Sequence, residues 1–535
     1  MTLLIVPVSG EHIDDVRGQV ETAIALGADA IELRVDLMGA VSADDLRTLR
    51  TTTPGEVSFL LTIRSAVEGG QWDTGDDERV SRLIELGPFV EFIDVELALW
   101  RRSANIRQKI ELALHRADPA YAVGGEDESS YVGRRKLILS KHDFHSRPST
   151  LQKDLVEMLS EPACAAPKIA WRARSVRDNF EAFEHMRGCA KPPLLVCMGE
   201  DGVLSRVLAK KFGAFGSFAS LERGMETAAG QPTITEIRNC YRWDALDRKT
   251  EVYGVIGDPV SHSLSPAVHN AAFADSGINA VYLPMRVSPG YESFKALMVE
   301  VLARPWLGIR GFSVTIPHKE NALRWLKEIG GCIDRAALRI GAVNTIGIRS
   351  DGSVHGRNTD YEAAIAGIQR ALERQAKAKA PLRAAVLGAG GVARAVVAAL
   401  RDLSAETTIY NRTAERARSL ADEMGCAAGS WETRHETTFD LIANCTSVGL
   451  APEGEQSPYP SDALRTGMIV FESVYRPVQT RLLRDAAGAG CITLTGLDMF
   501  ARQAAAQFAW WTGREAPPTI YQSDFISKLM SDDRH

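Results

Sequence analysis

Eight short, β-rich apolar runs with amphipathic, helix-like segments between them occupy residues 1 to about 245, and no other feature of the chain narrows its fold so far. They are LLIVPV from Leu3, AIELRVDL from Ala30, VSFLLTIR from Val57, FIDVEL from Phe92, KLILSKHDF from Lys136, KIAWRA from Lys168, LLVCMGE from Leu194 and FGSFAS from Phe215. Parallel strands need a long crossover, and intervening helices supply it. Eight strand-helix units in this length predict a (β/α)8 barrel, with an open doubly wound sheet as the alternative. The polar, glycine-bearing stretch from Pro119 to Gly133 reads as an exposed insertion loop.

The segment NCYRWDALDRKT, Asn239 to Thr250, loses strand periodicity and gathers charge, which predicts a domain boundary near residue 248. Beyond it YGVIGDP from Tyr253, AVYLPMRV from Ala280, GFSVTIP from Gly311 and GAVNTIGI from Gly341 read as strands of one α/β lobe. RAAVLGAGGVARAVVAAL from Arg383, TTIYNRT from Thr407, FDLIANCT from Phe439 and MIVFESVY from Met468 read as a Rossmann lobe. The helical stretch from Gly496 is expected to pack back on the lobe that precedes the Rossmann lobe. The expected division is therefore a barrel over 1–247, an α/β lobe over 248–360, a Rossmann lobe over 361–495 and C-terminal helices over 496–535.

Charge excludes some functions. With 24% charged residues and a net charge of -6, the chain has no basic excess for nucleic acid or an anionic membrane. No run of about 18 apolar residues occurs, and MTLLIVPVSG lacks the regions of a signal peptide, so a cytoplasmic location is expected. Eight scattered cysteines without a C-x-x-C pair read as reduced core residues, and no metal site is expected.

Barrels carry their chemistry at the C-terminal ends of the strands. Here ELR ends one strand with Glu32 and Arg34, TIR ends the next with Arg64, SKHD ends another with His142, and LSR brings Arg206 just past a fourth. Three converging arginines call for an anionic ligand such as a carboxylate, unless they pair with Glu32, Asp36 and Glu68 as a rim ion network. Lys168, near the start of its apolar run and close to these cations, is expected to keep a neutral amine that attacks ketones. His142 on the preceding strand can share its proton-transfer work.

Together EHIDD, ELRVD, TIRSAVEGG, SKHDF, KIA, LSR, FGSF and AAGQPT, over residues 3 to 234, resemble type I 3-dehydroquinate dehydratase. The resemblance implies that Lys168 forms an imine with the C3 ketone of 3-dehydroquinate, that His142 is the general acid and base, and that Glu68 orients it. It implies substrate contacts at Glu32, Arg34, Arg64, Arg206, Thr227 and Gln231. Thr227 stands where bacterial members often carry serine, and the 119–133 loop is longer than usual.

In the second half Gly388, Gly390 and Ala393 have G-x-G-x-x-A spacing between a strand and a helix, a cradle for a pyrophosphate. The following strand ends in Asn411, Arg412 and Thr413 where an NAD site would show a carboxylate, so a 2'-phosphate and NADP(H) are favoured, with Arg416 as a second cation. GDPVSHSLSP, FSVTIPHK, GAVNT, GRNTDY, NRT, NCTSVG, VYRPVQT and GLDMFARQAAAQF, across 252 to about 525, resemble shikimate dehydrogenase. The resemblance implies that Lys319 and Asp360 form the catalytic pair and that Ser263, Ser265, Thr315, Asn344, Tyr475 and Gln503 touch substrate. It also implies cofactor contacts along Gly388, Ala389, Gly390, Gly391, Val392 and Ala393 and at Thr446 and Gly496. Ser313 departs from the asparagine many bacterial members carry.

The expected function is thus bifunctional: dehydration of 3-dehydroquinate to 3-dehydroshikimate, then NADPH-dependent reduction to shikimate. The alternatives are an NAD-dependent catabolic quinate or shikimate dehydrogenase fusion and a regulatory homologue without activity. Small molecules are the expected partners, and the oligomeric state is open. A plant-type version would carry a transit peptide, which the start of this chain does not resemble.

Overall fold

The computed structural model describes residues 2–115, 135–261, 263–375 and 381–532, with side chains to 529. The loop expected over 119–133 lies outside the described residues. The chain divides into two compact units, Met1–Thr250 and Glu251–His535.

The first unit is a barrel of eight parallel strands: β1 (Leu3–Val8), β2 (Ala30–Arg34), β3 (Ser58–Thr62), β4 (Phe92–Glu96), β5 (Lys136–Asp143), β6 (Cys164–Arg172), β7 (Leu194–Met198) and β8 (Gly216–Phe218). From β1 to β7 each strand pairs with the next in sequence, and β8 returns to pair with β1. Between β7 and β8 the Phe215 amide donates to the Pro193 carbonyl at 3.0 Å, which nearly closes the ring. The open-sheet alternative is excluded.

Side chains two apart on a strand share a face, so one stripe per strand lines the barrel axis. At the N-terminal end the stripe is apolar: Ala30, Leu60, Phe92, Ile138, Ala166 and Leu194 pack into one core cluster. Two and four residues further along, the same stripe turns polar, with Glu32 and Arg34, Thr62 and Arg64, Asp94 and Glu96, Ser140 and His142, and Lys168. The fold therefore concentrates charge at one mouth.

The second unit holds two sheets. The first is mixed, in the order β10-β9-β11-β13-β14-β12, from β9 (Glu251–Gly257), β10 (Ala280–Arg286), β11 (Ile309–Val314), β12 (Cys332–Ile333), β13 (Thr345–Ile348) and β14 (Val354–Arg357). The second is wholly parallel, in the order β17-β16-β15-β18-β19-β20, from β15 (Arg383–Leu387), β16 (Glu406–Tyr410), β17 (Ala427–Gly429), β18 (Leu441–Asn444), β19 (Ile469–Glu472) and β20 (Ile492–Leu494). That is the 3-2-1-4-5-6 order of a dinucleotide fold, whose crevice opens where the order reverses, between β15 and β18. The helix Gly496–Thr512 sends Leu497, Phe500, Ala501, Phe508 and Trp511 into the core beneath the mixed sheet, with Tyr253, Val255 and Tyr282.

Among the described residues no helix is long and apolar enough to cross a membrane. No group of three or more His, Cys, Asp or Glu there could hold a metal ion. The cysteines are free thiols.

Candidate active sites

The barrel mouth opens on a cavity lined by Glu32, Arg34, Arg64, Glu68, His142, Lys168, Arg206, Thr227 and Gln231 among others. Every residue expected to act in the first half therefore faces one space.

Among the described residues Lys168 is the only amine on that lining, and it is buried. It is the fifth of nine strand residues and not near the start of its run, because β6 begins at Cys164. Its neighbours also differ from expectation. The amine donates to Asp94 Oδ2 at 2.9 Å and to Glu32 Oε1 at 3.4 Å, and lies 4.5 Å from the centre of the Phe218 ring. Carboxylates are therefore its nearest charges, where only the nearby arginines were expected to act on it. The cause is Asp94, which shares the inward stripe with its neighbour on β3 and reaches the barrel axis.

The arginines are likewise not free charges. Arg34 forms a two-pronged pair with Asp36, at 3.0 and 2.8 Å. Arg64 donates to Asp94 at 2.9 Å and to Ser140 at 2.8 Å, and meets Glu96 at 3.4 Å. Burial opposes the charge on Arg64, but Asp94, Glu96 and Glu68 outweigh it and raise its pKa. Burial alone would raise Asp94, yet Arg64 and Lys168 hold it well below the usual carboxylate range. The rim ion network weighed as an alternative exists for Arg34 and Arg64.

Arg206 differs. It is 2% exposed, its Nε has no hydrogen-bond partner, and among the described residues its guanidinium donates only to the Phe218 carbonyl, at 3.4 Å. Among the described residues it has no carboxylate partner, and burial pulls its pKa down to about 10. Gln231 Nε2 is a second buried donor without a partner, while its Oε1 accepts from the Thr227 hydroxyl at 3.2 Å. Buried donors of this kind demand an acceptor.

Glu68 Oε2 accepts from the His142 backbone amide at 2.9 Å and meets His142 Nδ1 at 3.0 Å. Burial, together with nearby Arg64 and Lys168, pushes the His142 pKa well below its ordinary value. A neutral ring donating through Nδ1 to Glu68 keeps Nε2 as a base. Burial pushes the Glu68 carboxyl up to about 7, against the pull of Arg64. Glu68 is itself set by the turn Ala66–Glu68, whose preceding Ser65 donates to Glu96 at 2.8 and 2.9 Å through its amide and hydroxyl.

In the second unit Lys319 donates to Asp360 at 2.6 Å, and both are buried. Lys319 opens the helix Lys319–Glu328, and Asp360 lies in the first turn of the helix Thr359–Arg374. Asn344 holds them in register: it donates to Thr359 Oγ1 at 3.0 Å and accepts from the Thr359 amide at 2.8 Å, while the Lys319 carbonyl accepts from the amide of Val343. The Asn344 side chain is thus already engaged. Ser263 and Ser265 adjoin one another, with the Ser265 amide donating to Ser263 Oγ at 3.3 Å. Thr315 packs against Gly257 at the end of β9. The Tyr475 ring meets Phe500 at 5.3 Å, and Gln503 lies one turn further along the Phe500 helix. After another turn comes Gln507, which sequence reasoning passed over as part of an alanine-rich core helix. It accepts from Ser313 at 2.7 Å and donates to Thr345 at 3.1 Å. Ser313 in turn accepts from Tyr282 at 2.6 Å, so this departure is tied into a buried network.

The glycine loop sits at the switch point. Gly388 has φ +113°, and a Cβ there would stand 2.7 Å from the Cys445 carbonyl oxygen. A Cβ at Gly391 would stand 2.8 Å from the Lys319 side chain, so this glycine lets the loop approach the Lys319–Asp360 pair. In front of Gly390, the N-cap of the helix Gly391–Asp402, there is open space, as a pyrophosphate needs. Val392 and Ala393 follow on that helix, and Ala393 is buried against the sheet. Asn411 donates to the Thr413 carbonyl at 2.9 Å, shaping the turn that exposes Arg412 and Arg416. Neither arginine has an ion-pair partner among the described residues. Thr446 donates to Asn444 Oδ1 at 2.7 Å, and Gly496 packs on the Val474 carbonyl. These residues fit a phosphorylated dinucleotide.

Comparison with known proteins agrees with this geometry. Residues 4–248 match the family model for type I 3-dehydroquinase, 255–346 that for the shikimate dehydrogenase substrate binding domain, and 496–520 that for the shikimate 5'-dehydrogenase C-terminal domain. A shikimate dehydrogenase (NADP(+)) from Moorella thermoacetica is 42% identical over 51% of this chain and 91% of its own length. One from Methanothermobacter thermautotrophicus is 37% identical over 53% of this chain and 99% of its own. The bifunctional 3-dehydroquinate dehydratase/shikimate dehydrogenase of Arabidopsis thaliana, a chloroplastic protein, is 35% identical over 97% of this chain and 83% of its own length. With two units of these folds matched end to end by that relative, the chain belongs to the family of bifunctional 3-dehydroquinate dehydratase/shikimate dehydrogenases.

Proposed function

We propose that the first unit dehydrates 3-dehydroquinate through an imine on Lys168 and that the second reduces the resulting 3-dehydroshikimate to shikimate. The carrying observation is the juxtaposition, in one cavity and among the described residues, of a single amine with the His142–Glu68 pair and an arginine that lacks a carboxylate. Lys168 Nζ adds to the C3 ketone and water leaves, which makes C3 an electron sink. His142 Nε2 takes the C2 proton and returns it to the departing C1 hydroxyl, so a second water is released. Hydrolysis of the imine consumes one water and frees Lys168, for a net loss of one. Asp94, 2.9 Å from the amine, holds it in place in the cavity.

Arg206 and Gln231 supply the unpartnered donors for the substrate carboxylate and hydroxyls, with Thr227 fixing Gln231. Glu32, Arg34 and Arg64 shape the rest of the seat while their own charges are balanced. Borohydride added with 3-dehydroquinate tests this directly. A stable mass increase on the Lys168 peptide is expected, and its absence there would remove the imine.

In the second unit NADP(H) would lie along the loop from Gly388 to Ala393, with Arg412, Arg416, Asn411 and Thr413 around the 2'-phosphate and Thr446 and Gly496 nearer the reacting end. When bound, it supplies the hydride that reduces the C3 ketone. Lys319 protonates the oxygen as charge develops on it, and Asp360 holds the lysine and its proton in place. Ser263, Ser265, Thr315, Asn344, Tyr475 and Gln503 position the ring. The division at 247, 360 and 495 and a cytoplasmic location go with this reading. A cell fractionation that found the protein in an organelle, as the name of the Arabidopsis relative would suggest, would move the location.

A further inference from the structure

Glu472 lies outside every role assigned above, yet it is fully buried at the C-terminal end of β19. Beside it, in register on β18, stands Asn444. Its Oε1 accepts from Asn444 Nδ2 at 2.8 Å and from the Val474 amide at 2.9 Å, and its Oε2 accepts from Thr480 Oγ1 at 2.9 Å. Each arm leads to a different part of the site.

Asn444 passes the restraint on through its Oδ1, which accepts from the amide and hydroxyl of Thr446 at 3.0 and 2.7 Å. Cys445, between them, is the residue against which Gly388 turns. The Asn444 arm therefore reaches the cofactor loop. The other two arms grip both ends of the segment 474–480, which carries Tyr475, and Gly496 rests on the Val474 carbonyl. Thr480 also caps the helix Arg481–Gly488 by accepting from the Leu483 amide.

We propose that Glu472 is a positioning residue that holds the cofactor-facing loop after β18 and the substrate-facing loop after β19 in mutual register. The inference rests on the reading of Thr446 as a cofactor contact and Tyr475 as a substrate contact. What the site needs from Glu472 is reach to three donors more than charge. Burial already pushes its carboxyl up to about 7, while the bonds from Val474, Asn444 and Thr480 work the other way. A glutamine keeps the reach, since its oxygen can serve Asn444 and Val474 and its amide can donate to Thr480. An aspartate is one methylene short of spanning all three.

The test is steady-state oxidation of shikimate by the full chain, with KM measured separately for NADP+ and shikimate. Glu472→Asp is expected to raise both KM values about fivefold or more with kcat within about twofold, while Glu472→Gln stays near wild type. Two single-arm variants divide the effect: Asn444→Ser should raise the NADP+ KM alone, and Thr480→Val the shikimate KM alone. These carry the same test if Glu472→Asp does not fold. The inference is overturned if Glu472→Asp lowers only the melting temperature, if Glu472→Gln does equal damage, or if both single-arm variants raise both KM values alike. Thr446→Val and Tyr475→Phe serve as controls. If they shift their own KM while the Glu472 and single-arm variants do not, the inference fails and the site reading stands. If neither shifts anything, the underlying site reading has failed.

Discussion

At the scale of single residues, burial decides which groups are poised to react. Glu68 binds its proton more tightly in the folded chain than in the unfolded one, with its pKa up to about 7 against an ordinary 4.5. Its contribution to stability is therefore complete below about pH 4.5 and is lost as pH rises through 7. Glu68→Gln removes the group that must ionise and keeps an acceptor for His142. It should stabilise the first unit at pH 8, on the order of 2 kcal/mol, and make no difference below pH 4.5. Urea unfolding at the two pH values measures this, and equal stabilisation at both would contradict it. The same substitution should slow dehydration about tenfold to a hundredfold, because a neutral amide no longer stabilises the imidazolium. Arg412 offers a simpler test, since an exposed guanidinium without a partner is free to meet a phosphate. Arg412→Ala should raise the KM for NADPH about tenfold, ~1.4 kcal/mol, and leave that for NADH unchanged.

At the scale of elements, strand alternation made most of the first site legible and also explains what was overlooked. Reading only the last residues of each strand found Arg34, Arg64 and His142 but passed over Asp94 and Glu96, although a charged pair two apart inside FIDVEL marks the same inward stripe. With Asp94 missing, the partners of Lys168 and Arg64 could not be foreseen, because a salt bridge between strands depends on register that no single strand reveals. In the second unit β12, β14, β17 and β20, of two to four residues, are too short to show a period. Gln507 was hidden for the opposite reason, as one polar residue in a helix whose spacing is that of a core. The glycine loop was legible because its spacing carries its own geometry, and two of its positions separate folding from binding. Gly388→Ala forces φ +113° on a side chain with a carbonyl oxygen 2.7 Å away, and should cost about 2 kcal/mol of stability together with cofactor affinity. Gly390→Ala meets no atom within 4 Å and should leave stability unchanged while weakening NADP+ binding, as isothermal titration would show.

At the scale of the whole chain, each unit carries its own core and its own reactive lysine, so damage to one chemistry should stop at the unit that holds it. Lys168→Ala is the sharpest case. It deletes the cavity amine and leaves Asp94 buried with Arg64 still paired to it, a change of about 3 kcal/mol against the first unit. Dehydration of 3-dehydroquinate should fall to background, and calorimetry should show one thermal transition moving down while another stays. Reduction of added 3-dehydroshikimate by NADPH should keep its wild-type kcat and KM, since Lys319, Asp360 and the glycine loop all lie within residues 251–535. A variant that remained folded but lost both activities would mean that the second chemistry depends on groups in the first unit, and the reading of two self-contained sites would have to be abandoned.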